Sequence, residues 1–272
     1  MAIDLTPLWD FARPEVSEQR FRAALATATG DDALILRTQI ARSQGLRRDF
    51  DGARQTLQAI AASMGTAGAE AQVRYHLERG RTDASATHPQ PLLTPEALQQ
   101  ARQAFERALE LARAAQLDGL AIDAIHMFAF VDQAPVDQLR WGEAALAIAL
   151  KSSQPAAQRW EPSIRNNVGY ALHQLGRYDE ALDQFQQALV LRERGTNRQA
   201  TFVAHWMVAW TLRSLGRSDE ALRIQLQLEQ QADASGTPDP HVFEELEALY
   251  RGQGDQAKAQ HYAQRKAEAG RR

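Results

Sequence analysis

The residues best suited to acid–base or metal chemistry in this chain are seven histidines, because the sequence contains no cysteine. They are dispersed, and no two stand four residues apart, as a metal-binding pair on one helix would require. The sequence also lacks a phosphate-binding loop and the G-x-G-x-x-G, G-x-S-x-G and H-E-x-x-H motifs. We therefore expect no metal, no cofactor and no catalysis. The histidines are His76, His88, His126, His173, His205, His241 and His261.

The charge balance of the chain argues against nucleic-acid and membrane partners. The 31 basic residues stand against 34 acidic ones, so the formal net charge is -3, and no global positive field attracts phosphate groups. The N-terminal residues lack the basic start and apolar stretch of a secretory signal. No apolar run approaches the roughly 18 residues of a membrane helix. We therefore expect a cytoplasmic protein, and the absence of cysteine fits a reducing compartment.

Helices must position any functional residues, because proline and glycine, which disfavour helix interiors, are gathered in a few places. Pro89, Pro91 and Pro95, for example, share one segment. Residues 101–115 place apolar side chains three and four positions apart, as one face of a helix requires. We predict an all-α chain, with one long loop at residues 82–95 that is either disordered or a lid.

Short segments of the chain repeat. GRYDEAL at residues 176–182 and GRSDEAL at residues 216–222 differ at one position, and their matching alanines lie 40 residues apart. Weaker copies are GDQAKA at residues 254–259 and DFDGA at residues 49–53. In the strong copies the glycine suits the left-handed conformation that ends a helix, and the acidic residues after it favour the start of the next helix. Each copy therefore indicates a helix, a tight turn and a second helix.

These repeats resemble the tetratricopeptide repeat family, whose pattern is W-x2-L-G-x2-Y followed by A-x3-F in a helical hairpin. The best copy has Val168, Gly169 and Leu172 on its first helix, and Ala181 and Phe185 on its second. Small residues such as Gly169, or Ala209 in the next copy, let the two helices approach closely. The resemblance implies an all-α, right-handed superhelical solenoid of about five to six hairpins with N- and C-terminal capping helices. The predicted organisation is a capping helix at 1–30 and a solenoid at 31–272, with hairpins at approximately 31–65, 70–115, 119–151, 162–195, 200–235 and 240–270.

The resemblance implies that the first helix of each hairpin lines a concave groove. In the best copy Asn166, Tyr170 and His173 lie beside the core stripe of that helix, and this register predicts that they face the groove. The same register in the other copies adds aromatic residues toward the C-terminus and charged residues toward the N-terminus. The added residues are Thr38, Arg42, Arg74, Glu78, Arg81, Asp123, Met127, Phe130, Trp206, Trp210 and Arg213.

Apolar surroundings leave structural alternatives for some residues. Trp206 and Trp210 lie within an apolar run, so either ring is also suited to packing between repeats. His126 lies in the apolar run 125–131, where the repeat favours a small core residue, and we predict a hydrogen-bonded packing histidine there. The basic C-terminus, which includes Arg271 and Arg272, is predicted to belong to a solvated cap.

Aromatic side chains beside asparagine and arginine suit the capture of a peptide, because the rings supply contact area at low entropy cost and the polar groups fix its backbone or a carboxylate. The leading hypothesis is therefore a protein- or peptide-binding scaffold or adaptor without catalysis. One alternative is a sensory or regulatory module that binds a small ligand or signalling peptide in the groove. Another is an enzyme that uses Asp123, Tyr170 and His173. Neither the partner's identity nor the oligomeric state follows from the sequence.

Overall fold

The computed structural model describes residues 3–271, and its regular structure in that range is helical, with no β-strand. None of these helices combines the length and apolar content that a bilayer crossing requires. Four short 3-10 helices lie at Thr6–Leu8, Ala61–Gly65, Gln90–Leu92 and Phe128–Phe130. The α-helices are α1 (Pro14–Leu25), α2 (Gly30–Leu46), α3 (Phe50–Gln58), α4 (Ala69–Arg81), α5 (Pro95–Ala114), α6 (Asp118–Met127), α7 (Pro135–Lys151), α8 (Pro155–Gln158), α9 (Glu161–Gln174), α10 (Tyr178–Glu193), α11 (Arg198–Ser214), α12 (Ser218–Ala234), α13 (Pro240–Gly252) and α14 (Gln256–Ala269).

The tight turns between paired helices are built around residues in the left-handed conformation. Gly176, Gly216 and Gly254 have φ angles of +75°, +75° and +79°, a region that glycine enters without steric cost. The corresponding places before α3 and α6 are held by Arg48 and Gln116, with φ angles of +64° and +54°. A residue with a side chain costs about 1–2 kcal/mol in this conformation. The turns before α3 and α6 therefore keep the left-handed geometry at some cost in stability.

The chain divides into two compact units, a boundary that the repeat pattern does not predict. Unit 1 is Met1–Trp160 and unit 2 is Glu161–Arg272, although Met1, Ala2 and Arg272 lie outside the described residues. In unit 1, α1 packs on α2, and α2 packs on both α3 and α4. Further along, α4 packs on α5, α5 on α6, and α6 on α7. Phe21, Leu36 and Ile40 are buried where α1 meets α2.

Unit 2 consists of three helix pairs, α9 with α10, α11 with α12, and α13 with α14. Gly169 of α9 lies against the ring of Phe185 of α10, and a Cβ atom built on it would lie 2.8 Å from Phe185 Cε1. Ala209 is fully buried on α11. The close helix contact predicted at Gly169 is therefore confirmed.

Residues 82–94 form an insertion in the turn between α4 and α5. Ala181 follows Gly169 by 12 residues, whereas Ala101 follows Gly80 by 21, so this turn is longer by 9 residues. Gly80 nevertheless lies against the ring of Phe105, as Gly169 lies against Phe185. The helix pair thus keeps its packing and projects the extra residues outward.

The first half of the insertion is packed against α2 and α3. Thr87 Oγ1 donates a hydrogen bond of 3.0 Å to the carbonyl of Gly45, and the ring of His88 stacks on Phe50 with centroids 3.8 Å apart. Thr82 and its two successors are buried. Residues 82–88 are therefore packed rather than disordered.

Limited proteolysis checks this division of the insertion into a packed and an exposed half. Leu92 is 50% exposed within the short helix Gln90–Leu92, so we expect thermolysin to cut first at Leu92 or Leu93 and to leave residues 82–88 intact. Mass spectrometry of the earliest fragments identifies the cut. A first cut within α9 or α10 would contradict the helix pairing of unit 2.

Candidate functional site

Predicted groove residues of unit 1 meet in one polar cluster, to which α2, α4 and α6 contribute. Arg81 Nη1 donates to Glu78 Oε1, and Arg81 Nη2 donates to Asp123 Oδ1, each at 2.5 Å. Arg42 Nη1 lies 3.7 Å from Glu78 Oε1 and 3.5 Å from Asp123 Oδ2. We call these four residues the charge cluster. With two guanidinium groups and two carboxylates it is electrically neutral.

Burial and neighbouring charges shift the pKa values of Asp123, Arg81 and Arg42. Desolvation raises the pKa of Asp123, but attraction to Arg81 and Arg42 outweighs it, and the pKa falls to about 2. Burial lowers the pKa of Arg81, and attraction to Asp123 and Glu78 outweighs it, so the pKa is raised. For Arg42, burial and the charge of Arg81 prevail, and its pKa is lowered. Arg42 is therefore the arginine whose charge is less fully compensated.

Arg42 also has unused hydrogen-bonding capacity. Within residues 3–271 its guanidinium makes no hydrogen bond, although the side chain is only 25% exposed. Its guanidinium carbon lies 5.7 Å from the ring centroid of Trp9 and 5.8 Å from that of Phe11, which are cation–π distances. Because a guanidinium carries five N–H donors, Arg42 is available to an incoming acceptor.

A cavity of about 220 Å³ lies beside the charge cluster, and all four cluster residues line it. We call it the unit 1 cavity. Met127, Phe130 and Trp160 supply apolar wall, and residues 85–87 of the insertion supply another part of the lining. The cavity therefore combines a neutral set of charges with an apolar interior.

His126 also lines the unit 1 cavity. Its ring centroid lies 5.5 Å from that of Trp160 and 6.2 Å from that of Phe130. Burial is the largest influence on its pKa and lowers it, so the imidazole is neutral at pH 7. The ring packs against aromatic neighbours, as predicted, and also forms part of the cavity wall.

A wider cleft of about 820 Å³ shares Arg42, Asp123 and Trp160 with the unit 1 cavity. Arg74 lines this cleft and is paired within its own helix, because its Nε donates to Glu70 Oε1 at 2.9 Å. Thr38, by contrast, is buried, and its hydroxyl donates to the carbonyl of Ile35. Of the residues predicted in unit 1, Thr38 alone lines neither the cavity nor the cleft.

In unit 2 the predicted residues of α9 and α11 form a row of stacked rings. The ring centroids of Tyr170 and Trp210 lie 6.0 Å apart, and those of Trp210 and Trp206 lie 5.6 Å apart. We call these three residues the aromatic row. Tyr170 is 43% exposed, while both tryptophans are half-buried. Trp206 also packs against the buried core around Phe243, so the packing alternative holds in part.

His173 and Arg213 are engaged within unit 2. The ring of His173 is buried and stacks on Trp210 with centroids 3.4 Å apart, and its Nε2 lies 2.9 Å from Ser214 Oγ. Burial, with a smaller effect of Arg213, lowers the pKa of His173 to about 4. Arg213 donates to both oxygens of Glu245, at 2.7 and 2.8 Å. His173 therefore packs against the aromatic row, while Arg213 is occupied by Glu245.

Asn166 lies one helical turn before Tyr170 and lines a pocket of about 380 Å³. Asn197 and Gln199, at the start of α11, and Arg192 of α10 line the same pocket. The face of α9 that carries Tyr170 thus also carries polar groups that suit a peptide backbone.

The residues of the enzyme alternative do not form a catalytic set within either unit. Asp123 belongs to the charge cluster of unit 1, where two arginines keep it ionised. Tyr170 and His173 belong to unit 2, where the imidazole is neutral at pH 7 and hydrogen-bonded to Ser214. Over residues 3–271 no group of three or more His, Asp or Glu side chains is placed to hold a metal ion.

Residues 160–232 match the family model of the tetratricopeptide repeat. This segment is therefore similar to the tetratricopeptide repeat family. It begins just before α9 and extends into α12, so it contains the aromatic row and the polar pocket around Asn166. No curated protein sequence matches the chain significantly.

Solved structures with tetratricopeptide-like folds resemble the whole chain. The apo form of RapI matches with a TM-score of 0.71 and 13% identity, over 95% of this chain and 71% of RapI. A signal transduction ATPase with numerous domains from Pyrococcus horikoshii, which has a tetratricopeptide repeat sensor, matches with a TM-score of 0.69 and 13% identity, over 94% of this chain and 39% of that protein. A Rap protein complexed with Competence and Sporulation Factor matches with a TM-score of 0.59 and 13% identity, over 97% and 75%. These similarities confirm the predicted all-α repeat fold.

Several residues that shape the candidate sites fall outside the tetratricopeptide register. Trp9 and Phe11 precede the first repeat, Trp160 follows the short helix α8, and residues 85–87 belong to the insertion. Aromatic residues that match no repeat position were the one sequence signal that pointed to the first three. Nothing in the repeat pattern indicates that the insertion folds back on α2.

Proposed function

We propose that the chain is a protein- or peptide-binding module that holds its partner on the first helices of its repeats and has no catalysis of its own. The observation that carries this proposal is the aromatic row of unit 2, with Asn166 beside it on α9. The cytoplasmic location predicted from the sequence is part of the proposal.

Two physical features make the aromatic row suited to a partner. Tyr170 presents 43% of its surface, and its hydroxyl end remains available for hydrogen bonding. The rings behind it are held by stacking on one another and on His173, so little side-chain entropy is lost when a partner covers them. Buried aromatic anchors of this kind dominate the binding energy of many interfaces.

The similar structures support the proposal by analogy. One Rap protein of the same fold was solved in complex with Competence and Sporulation Factor. In the Pyrococcus horikoshii ATPase the tetratricopeptide repeats form a sensor. At 13% identity these proteins share the fold with this chain, and the binding role is transferred to it here as a proposal.

The double substitution Tyr170→Ala with Asn166→Ala tests the proposal. Peptides are first selected from a random display library on the immobilised wild-type chain, and their affinity is then measured by calorimetry. We expect the double variant to lose about 2 kcal/mol or more of binding free energy, because it removes a central ring and its polar neighbour. Its melting temperature should change little, since neither side chain belongs to the contact between Gly169 and Phe185.

A matched control lies on the second helix of the same hairpin. Gln186 and Val190 are both exposed on α10 and have the same four-residue spacing, so Gln186→Ala with Val190→Ala should leave the affinity unchanged. If the groove variant binds the selected peptides as tightly as wild type and melts normally, the aromatic row is not the site.

The alternative of a sensory or regulatory module is favoured by a different observation, the unit 1 cavity, whose size suits a small molecule rather than a peptide. A ligand that binds only the folded state raises the melting temperature by mass action without any protein partner. A thermal-shift screen with small molecules therefore separates this alternative from peptide capture.

A further inference from the structure

The charge cluster contains both a guanidinium group and carboxylate oxygens that are not fully used in hydrogen bonds within the cluster. Each of the three guanidinium nitrogens of Arg81 donates a hydrogen bond, to Met127 Sδ, Glu78 Oε1 and Asp123 Oδ1 respectively. It takes only one oxygen of each carboxylate, and so leaves the second oxygens of Glu78 and Asp123 without a hydrogen bond from it. Arg42 approaches these carboxylates no closer than 3.5 Å. Beside the unit 1 cavity, the guanidinium of Arg42 therefore makes no hydrogen bond within the described residues, and one oxygen of each carboxylate accepts none from Arg81.

The charge of the cluster restricts what the cavity accepts. Glu78 and Asp123 have side chains only 3% and 10% exposed, so an uncompensated ligand charge would be costly there. A simple anion would meet Arg42 but face two carboxylates, and a simple cation would meet the carboxylates but face two arginines. A ligand that carries one charge of each sign close together keeps the site neutral and satisfies both sets of unused groups.

The size and walls of the cavity restrict the ligand further. A volume of about 220 Å³ is below the roughly 300 Å³ at which drug-sized pockets begin. Met127, Phe130 and Trp160 form an apolar wall, which favours a short apolar side chain next to the charged groups. These properties together describe an amino acid.

The insertion between α4 and α5 provides an independent reason to regard the unit 1 cavity as a binding site, because some of its residues line the cavity. The packing of Gly80 on Phe105 shows that the helix pair does not need the extra residues to form. Residues 85–87 nevertheless line the cavity, and Thr87 is fixed to Gly45 at the end of α2. The extra residues thus close a space that a standard repeat turn would leave open.

We propose that the unit 1 cavity binds a free α-amino acid with an apolar side chain, its carboxylate on Arg42 and its ammonium group between Glu78 and Asp123. The site lies in unit 1 and does not depend on the peptide site proposed in unit 2. The main-chain charges of the ligand provide the recognition, and the side chain fills the space beside Met127, Phe130 and Trp160.

Calorimetry with matched ligands tests the charge requirement. L-leucine, L-methionine and L-phenylalanine are titrated into the full chain, together with L-leucinamide, which lacks the carboxylate, and N-acetyl-L-leucine, which lacks the ammonium group. We expect at least one of the three amino acids to bind, and each single-charge analogue of leucine to bind at least about 30-fold more weakly than leucine, because it leaves a buried charge unpaired.

Variants locate the site. Arg42→Gln should abolish amino-acid binding, and its melting temperature is measured alongside because the substitution also removes a counter-charge of Glu78 and Asp123. Ala86→Trp, at an exposed position of the insertion that lines the cavity, should block binding while leaving the charge cluster intact. Arg74→Gln is the control, because Arg74 lines the cleft and is paired with Glu70, and it should bind like wild type.

Three results would overturn the proposal: no binding of any of the three amino acids at millimolar concentration, equal binding of leucine and leucinamide, or unchanged binding in both Arg42→Gln and Ala86→Trp. Equal binding of leucinamide would instead indicate recognition of an amine alone, as at the N-terminus of a peptide. None of these results bears on the Tyr170 and Asn166 experiment, so the two proposals fail separately.

Discussion

Replacing Asp123 with asparagine lowers the free energy of unfolding by about 3–5 kcal/mol, the usual effect of breaking a buried ion pair. The side chain is only 10% exposed and lies against two arginines, with Arg81 Nη2 donating to it at 2.5 Å. Asparagine has nearly the same shape but no charge, so both guanidinium groups lose a counter-charge in a desolvated place. Urea unfolding at pH 7 measures the loss.

A surface pair provides the control for this prediction. Asp137 and Arg140 are three residues apart on α7, with side chains 36% and 63% exposed. Exposed pairs of this kind contribute about 0–1 kcal/mol, so Asp137→Asn should be nearly neutral. If Asp123→Asn were equally neutral, the charge cluster would not be a buried, mutually stabilised group.

The pH dependence of stability in wild type and in Asp123→Asn gives a second check of the Asp123 prediction. The pKa of Asp123 is depressed in the folded chain, from 3.8 to about 2. A depressed carboxyl stabilises the fold fully above its unfolded pKa, and that contribution is lost as the pH falls toward the folded value. The stability difference between wild type and Asp123→Asn should therefore be constant near neutral pH and shrink between about pH 4 and pH 2.

Gly169→Leu is expected to destabilise the chain by about 1–3 kcal/mol or more, because it overpacks a tight helix contact. A Cβ atom at this position would lie 2.8 Å from Phe185 Cε1, and the ring itself is fully buried, so it has little room to move. Thermal or urea unfolding reports the change.

Gly252 serves as the matched position, since it also lies on a first helix of unit 2 but has no atom within 4 Å of a Cβ built on it. Gly252→Leu should not destabilise, because leucine has the better helix propensity. Equal stability of Gly169→Leu and wild type would mean that α9 and α10 do not pack through this glycine.

Much of the helical architecture was predictable because it depends on local properties. The turn glycines Gly176, Gly216 and Gly254 and the small residue Gly169 have fixed places in the repeat pattern, and the structure finds them in the predicted roles. The copy at residues 49–53 is harder to recognise, since Arg48 occupies the left-handed turn position where the pattern favours glycine.

Arg42, Glu78, Arg81 and Asp123, which the sequence analysis assigned to one groove, lie together in unit 1. The repeat register does not predict that Arg81 donates hydrogen bonds to the carboxylates while Arg42 donates none. That outcome depends on side-chain conformations across three helices. The unit 1 cavity was equally hidden, because it is completed by an insertion that the repeat pattern does not describe.

The central claim is that a partner peptide lies along the face of α9 that carries Asn166 and Tyr170, and photo-crosslinking tests it most directly. A benzophenone amino acid replaces Gln174, which is exposed one turn after Tyr170, or Gln186, which is exposed on α10. Each protein is irradiated with the peptide selected on wild type, and the crosslinked product is identified by mass spectrometry. If the peptide lies on this face of α9, it should crosslink to position 174 and not to position 186. A crosslink from position 186 alone would contradict it.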